Sequence, residues 1–292
     1  MAQQAATMLL DGLVFPEAPR WHAGRLWFSD IHAHEVVAVD LDGRRESVVS
    51  VPQRPSGLGW LPDGRLLVVS MGDRKLLRLD ASGDAPGDAS GLAEAADLSG
   101  LAAFDCNDMV VDAQGRAYIG HFGFDFFGSG DERANASLIL VTPDGDARVA
   151  ADDLAFPNGV VITPDGETLI VAESMATRLT AFDVDADGSL SNRRVWAQLD
   201  GPPDGICLDA EGCVWVSIPM RPGRFIRVAE GGAVHDQFDV DGRLAIACML
   251  GGADRRTLFM IEASESDAAR IEGPGNGRIR AAEVDVPGAG FP

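Results

Sequence analysis

From position 156 to 178 the chain reads FPNGVVITPDGETLIVAESMATR. Its apolar positions fall into two short runs, Val160-Val161-Ile162 and Leu169-Ile170-Val171, divided by Pro164-Asp165-Gly166. Runs this short and rich in β-branched residues predict strands. Pro-Asp-Gly between them predicts a hairpin, because proline presets φ and glycine takes the positive φ that the turn requires. The same unit recurs along the chain: a polar start, an apolar strand, an Asp/Gly turn, a second strand, a loop, a third strand, a turn and a last strand. One copy begins at Glu17, with turns at 22–24 and 40–43. Others begin at Ser56 (turn 62–64), Asn107 (NDMVVDAQGRAYIG), Asn158 and Asp204 (turn 210–212), and a less regular sixth runs from 244 through 261.

The starts at Glu17, Ser56, Asn107, Asn158 and Asp204 lie 39, 51, 51 and 46 residues apart. A four-strand unit at that spacing predicts an all-β fold, a six-bladed β-propeller forming one domain over residues 1–292. Residues 7–14 (TMLLDGLV) read as a strand left over at the N-terminus. Placed beside residues 279–286 they complete the last blade and close the ring, which removes an exposed sheet edge. Residues 81–100, rich in Ala, Gly, Asp and Ser, read as a surface loop or a weak final strand of blade two.

Composition narrows the partners. Of the 292 residues 46% are hydrophobic, enough for a sizeable core, and 24 Lys and Arg against 45 Asp and Glu leave a net charge of −21. Nucleic acids and anionic membranes repel a polyanion, so a small molecule is the expected partner. No apolar run approaches the ~18 residues of a membrane span. The opening MAQQAATMLL lacks the basic and apolar regions of a secretory signal, and the expected location is cytoplasmic. Cys106, Cys207, Cys213 and Cys248 form no CxxC pair or zinc spacing and read as reduced, buried thiols.

In a propeller the innermost strand of each blade lines the central channel, and its first residue sits at one mouth. Glu17, Asn107, Asn158 and Asp204 then bring two carboxylates and two amides together from four blades. Taken singly, Asn or Asp before Gly is a turn residue; the shared phase of the four is what points to a site. An all-oxygen set with two negative charges suits one hard divalent cation, calcium first, with zinc, manganese and magnesium also compatible.

The motifs FPEAPRW (15–21), CNDMVVDAQGRAYIG (106–120), FPNGVVITPDG (156–166) and DGICLDAEGCVWV (204–216) make the chain similar to the gluconolactonase, senescence-marker-protein and luciferin-regenerating-enzyme family. The resemblance spans nearly the whole chain. It implies a six-bladed propeller with a divalent ion in the channel. Glu17, Asn158 and Asp204 match the family's metal ligands, and Asn107 matches the amide beside the metal that helps bind water or substrate. Asp204 also matches the residue proposed as general base for hydrolysis of lactones and other esters. Sugar-lactone members often carry Arg two residues before the channel Asn, a position expected in the substrate pocket wall, where this chain has Asp105. The resemblance therefore does not extend to aldonolactone specificity.

Antiparallel order puts the ends of the second strands at the same mouth: Ile31 and His32, Met71, residues 121–127, Ser174 and Met175, and residues 218–220. The run HFGFDFF places Phe122, Phe124, Phe126 and Phe127 there, and with Met71, Met175 and Met220 it predicts an apolar, adaptable pocket wall. His121 is a candidate substrate contact or proton shuttle, set against the commoner role of a histidine satisfied by structural hydrogen bonds. The expected activity is metal-dependent hydrolysis of lactones or carboxylic esters, with Asp204 and Asn107 as catalytic residues and a hydrophobic substrate preferred. The rivals are a gluconolactonase-type sugar-lactone hydrolase and a non-enzymatic, ligand-binding propeller with a structural channel ion.

Overall fold

The structure, a computed structural model, describes residues 5–80, 91–126 and 134–290. Strand β1 (Thr7–Leu13) precedes the first blade, which is β2 (Pro16–His22), β3 (Arg25–Asp30), β4 (Glu35–Val39) and β5 (Arg45–Ser50). Blade two holds β6 (Pro55–Trp60), β7 (Leu66–Ser70), β8 (Lys75–Leu79) and β9 (Leu92–Asp97), and blade three β10 (Cys106–Val111), β11 (Ala117–His121), β12 (Ala136–Val141) and β13 (Ala147–Leu154). Blade four is β14 (Pro157–Ile162), β15 (Thr168–Glu173), β16 (Arg178–Val184) and β17 (Leu190–Gln198). Blade five is β18 (Ile206–Leu208), β19 (Val214–Ile218), β20 (Gly223–Val228) and β21 (Val234–Val240). The last blade is β22 (Leu244–Gly251), β23 (Thr257–Ala263) and β24 (Gly277–Glu283), with β1 as its fourth strand.

The six sheets are all four-stranded, and the chain is a six-bladed propeller. Strand β1 runs antiparallel to β24, with Thr7 opposite Ala281 and Leu13 opposite Gly277, so the ring closes through the N-terminal strand as expected. The weak segment of blade two resolves into β9, which pairs with β8; residues 81–90 lie outside the described residues. Among the described residues no helix is long and apolar enough to cross a membrane.

Turns follow the local chemistry. In the Pro-Asp-Gly hairpins Gly64, Gly145 and Gly166 take φ of 88°, 91° and 76°, the region glycine reaches without a steric penalty. Where aspartate opens the turn, its carboxylate replaces a strand partner: Asp112 accepts from the N–H groups of Gln114 and Arg116, and Asp209 from those of Glu211 and Cys213. The core lies between facing sheets. Leu67, Val69 and Leu76 of blade two pack with Met109, Ile119 and Ile139 of blade three, while Trp215, Phe225 and Phe259 anchor the side where blades five, six and one meet.

Two features of the inner strands shape the channel. The ladder slips just beyond the first residues, between Glu17 and Arg20, Pro55 and Leu58, Cys106 and Met109, and Pro157 and Val160. Such bulges re-aim side chains at the strand end. The glycine after a channel residue allows neighbouring strands to approach: a Cβ on Gly159 would stand 2.6 Å from the nitrogen of Ile206, and one on Gly205 2.4 Å from Cβ of Ala247. The glycines of Asn158-Gly159 and Asp204-Gly205 are thus packing requirements of the ring.

Candidate functional site

A cavity of about 270 Å³ opens at the mouth where the inner strands begin. Its floor holds Glu17, Asn107, Asn158 and Asp204 together, from blades one, three, four and five. Asn107 and Asn158 are each 8% exposed. A hydrogen-bond relay links three blades across this floor. Asn107 Nδ2 donates to the Pro157 carbonyl (3.3 Å) and to Asn158 Oδ1 (3.1 Å), and Asn158 Nδ2 donates to Ser174 Oγ (3.3 Å). Ser174 Oγ in turn donates to the Pro203 carbonyl (2.6 Å). Each end of the relay is thus the carbonyl that precedes a floor residue, Asn158 or Asp204.

The carboxyl groups carry the electrostatic interest. Burial pushes Glu17 well above the usual carboxylate range and the nearby charge of Asp204 adds to this, while the Ala18 N–H (2.7 Å) works against it. Burial also raises Asp204, with Asp108 adding and a hydrogen bond from Asn158 opposing. Among the described residues no Lys, Arg or His forms an ion pair with either acid; Arg20, the neighbouring guanidinium, is bound to Asp108 at 2.7 Å.

Two acids close enough to raise one another's pKa, set in the lining of one cavity, favour an outside positive charge between them. With two amide oxygens beside them, the donor set is all oxygen, which fits a hard divalent cation. No three His, Cys, Asp or Glu side chains cluster at a point among the described residues, so the fit depends on the amides as well as the acids.

The walls are apolar. Phe122 stacks on Phe156 (4.8 Å between centroids, 13° between planes), and Phe126 lies 5.3 Å from Phe156 and is 44% exposed at the rim. Met71, Met175, Phe15 and Ile31 continue this lining. Buried carboxylates hold the loops that present Phe15 and Phe156: Asp30 accepts from the N–H groups of Val14 (3.0 Å) and Phe15 (2.7 Å), and Glu173 from that of Ala155 (2.8 Å).

Four residues read from the sequence as pocket wall lie elsewhere. His121 is buried away from the cavity with both ring nitrogens engaged. The Ser137 N–H can only donate, so Nε2 accepts (3.1 Å) and Nδ1–H donates to the Phe122 carbonyl (2.9 Å). Burial lowers its pKa, and the ring is a neutral structural brace. Phe124 packs 5.8 Å from Phe156, in the second row behind the lining. Met220 is 45% exposed and leaves the lining to its neighbour Pro219. Asp105 is held by Arg54 at 2.6 Å, outside the lining. Phe127 and the Gly128-Ser129-Gly130 tip lie outside the described residues.

Sequence reasoning passed over Phe15, Phe156, Pro202, Ile246 and Ser266 as lining. Phe15 and Phe156 had a signal: a Phe-Pro pair stands directly before Glu17 and before Asn158.

A ring of six four-stranded blades with a carboxylate–amide floor at one mouth defines a channel-site β-propeller. Residues 15–264 match the family model described as the SMP-30/Gluconolactonase/LRE-like region, and the chain belongs to that family. Regucalcin of Danio rerio is 30% identical over 162 residues, and that of Gallus gallus 30% over 164, each alignment covering 54% of either chain. The chain thus spans about half the length of the curated relatives it matches.

Solved structures agree over the whole ring. A luciferin-regenerating enzyme superposes with a TM-score of 0.81 at 20% identity, covering 99% of this chain and 98% of that one. A calcium-binding protein, regucalcin, from Agrobacterium tumefaciens gives 0.79 at 24%, covering 99% and 97%. A gluconolactonase from Xanthomonas campestris gives 0.74 at 24%, covering 97% and 92%.

Proposed function

We propose that this protein is a divalent-metal-dependent hydrolase of lactones or carboxylic esters that favours a substrate with an apolar arm. The observation that carries the reading is the pair Glu17 and Asp204, set together in the lining of an otherwise apolar cavity with no ion-pair partner among the described residues. Glu17, Asn158, Asp204 and Asn107 would hold the ion, calcium being the first candidate for an all-oxygen set that includes two amides. When bound, such an ion supplies Lewis acidity and makes a nearby water easier to deprotonate.

The chain's own groups do the rest. Asp204 takes the proton as water adds to the carbonyl carbon, then returns it to the leaving alkoxide as the ester C–O bond breaks. Asn107, its amide nitrogen already spent, presents an oxygen acceptor that orients water or a substrate hydroxyl. Phe122, Phe126 and Phe156 shield the reacting bond from bulk water and receive the arm.

The second reading is a sugar-lactone hydrolase. A polar feature favours it: Arg54 and Asp105 pair at 2.6 Å in the loops before β6 and β10, outside the lining but at the end of the ring where the inner strands begin. One assay tests both, turnover of a panel from gluconolactone to long-chain lactones and aryl esters, with added ion and with chelator. Turnover that needs the ion and is highest for apolar substrates is the expected result. A higher kcat/KM for gluconolactone supports the second reading, and turnover indifferent to chelation overturns the metal-dependent one.

A further inference from the structure

The relay across the floor is directional. A carbonyl can only accept, so the Ser174 hydroxyl must donate to Pro203 O and offers Asn158 a lone pair and no proton. Asn158 therefore turns its NH₂ toward Ser174, at 3.3 Å, where it also serves Asp204, and its Oδ1 toward Asn107. Without that lone pair one anchor of the amide is gone, and its flipped form would set two hydrogens where an ion ligand is needed. Ser174 also ties blade four to the carbonyl directly before Asp204 in blade five, so one hydroxyl fixes the spacing of two floor residues. Its backbone N–H is bonded to the Phe156 carbonyl (3.1 Å), which locates the hydroxyl independently of the side chains it orients.

We propose that Ser174 is a positioning residue, setting the orientation of the Asn158 amide and through it the affinity of the floor for a divalent ion. This rests on the reading of the floor as the ion's site. Groups that orient metal ligands cost about 10–100-fold in affinity when removed.

The test is calorimetric titration of calcium into the full chain and its variants. Ser174→Ala is expected to weaken binding by ~10-fold or more, and Ser174→Thr, which keeps the hydroxyl, to restore it. In an Asn158→Ala background, Ser174→Ala is expected to cost nothing further, because residues acting through one another are not additive. Unchanged affinity in Ser174→Ala, or losses that add in the double variant, overturns the proposal while the site reading stands. If calcium, zinc and manganese all fail to bind the wild-type chain, the site reading fails and the proposal falls with it. Should Ser174→Ala lower the melting temperature in chelator, Ser174→Cys decides in its place: similar in size, it is a weak hydrogen-bonding group, and wild-type affinity there overturns the proposal.

Discussion

Two sets of charged groups share the central channel and are built in opposite ways. Asp108, one residue beyond Asn107, faces Arg20, three residues beyond Glu17, and the two ion-pair at 2.7 Å with both side chains less than a tenth exposed. Four of the five N–H donors of Arg20 are engaged: Nε reaches Leu58 O (3.1 Å), Nη1 reaches Pro19 O (2.8 Å), and Nη2 bonds Met109 O as well as Asp108. That guanidinium stitches blades one, two and three together. At the mouth, Glu17 and Asp204 are half-buried in the cavity lining, and neither has an ion-pair partner among the described residues. Burial alone therefore does not mark a site. What sets the mouth apart is a pair of acids without an ion-pair partner among the described residues, beside acids that have one.

The contrast is broken most severely at the paired end. Arg20→Met strands the Asp108 carboxylate and is expected to cost roughly 3–5 kcal/mol, seen as a lower urea midpoint; Arg20→Met with Asp108→Leu should recover much of it, since the pair itself adds little net stability. At the mouth the expectation reverses. In chelator, Glu17→Gln and Asp204→Asn should melt no lower than wild type, because each removes like-charge repulsion. Calcium at ~100 times its Kd should stabilise the wild type by about 2.7 kcal/mol and both variants far less. Equal calcium shifts in all three proteins would remove these acids from the site.

Glu173 sharpens the comparison as a second compensated acid. Burial would raise it, yet hydrogen bonds from Arg178, the Ala155 N–H and Thr180 outweigh that and hold it below its usual range. A depressed acid stabilises the fold above its unfolded value of about 4.3, and that stability is lost as pH falls through the folded value. Glu173→Gln is thus expected to cost about 1–3 kcal/mol at neutral pH, with the gap to wild type closing in urea titrations below about pH 4. The smallest effect concerns the wall. Phe126→Ala removes on the order of 40 Å² of apolar contact, about 1 kcal/mol. It should raise KM several-fold for a long-chain lactone and leave a small lactone unchanged, with Phe124→Ala weaker because that ring stands behind the lining.

The blades were legible because their signals are local. Strand period, Pro-Asp-Gly turns and the leftover segment at 7–14 all lie within a few residues of the structure they specify. The floor was legible for a related reason: a shared phase in the repeat places Glu17, Asn107, Asn158 and Asp204 at one mouth without knowledge of any contact. The wall was harder to read. Ring directions in the loop after β11 are set by tertiary packing, which put Phe124 behind Phe156, itself held at a φ of 62°. The partners of His121 and Asp105 are Ser137 on the next strand and Arg54 in the neighbouring blade, 16 and 51 residues away. No pattern within either segment announces them.

Closure through β1 has a consequence for how the molecule is made. The strand that seals the ring is the first of the described strands to be synthesised, and its partner β24 is the last of them, some 270 residues later. Until β24 emerges, Leu9, Leu10 and Leu13 belong to a strand with no sheet to join, although the blades between can form in turn from near neighbours. Such an unpaired apolar strand is open to other chains during that interval. Asp11 places a charge within that strand, the kind of residue that keeps an unpaired apolar edge from the wrong partner before the ring exists.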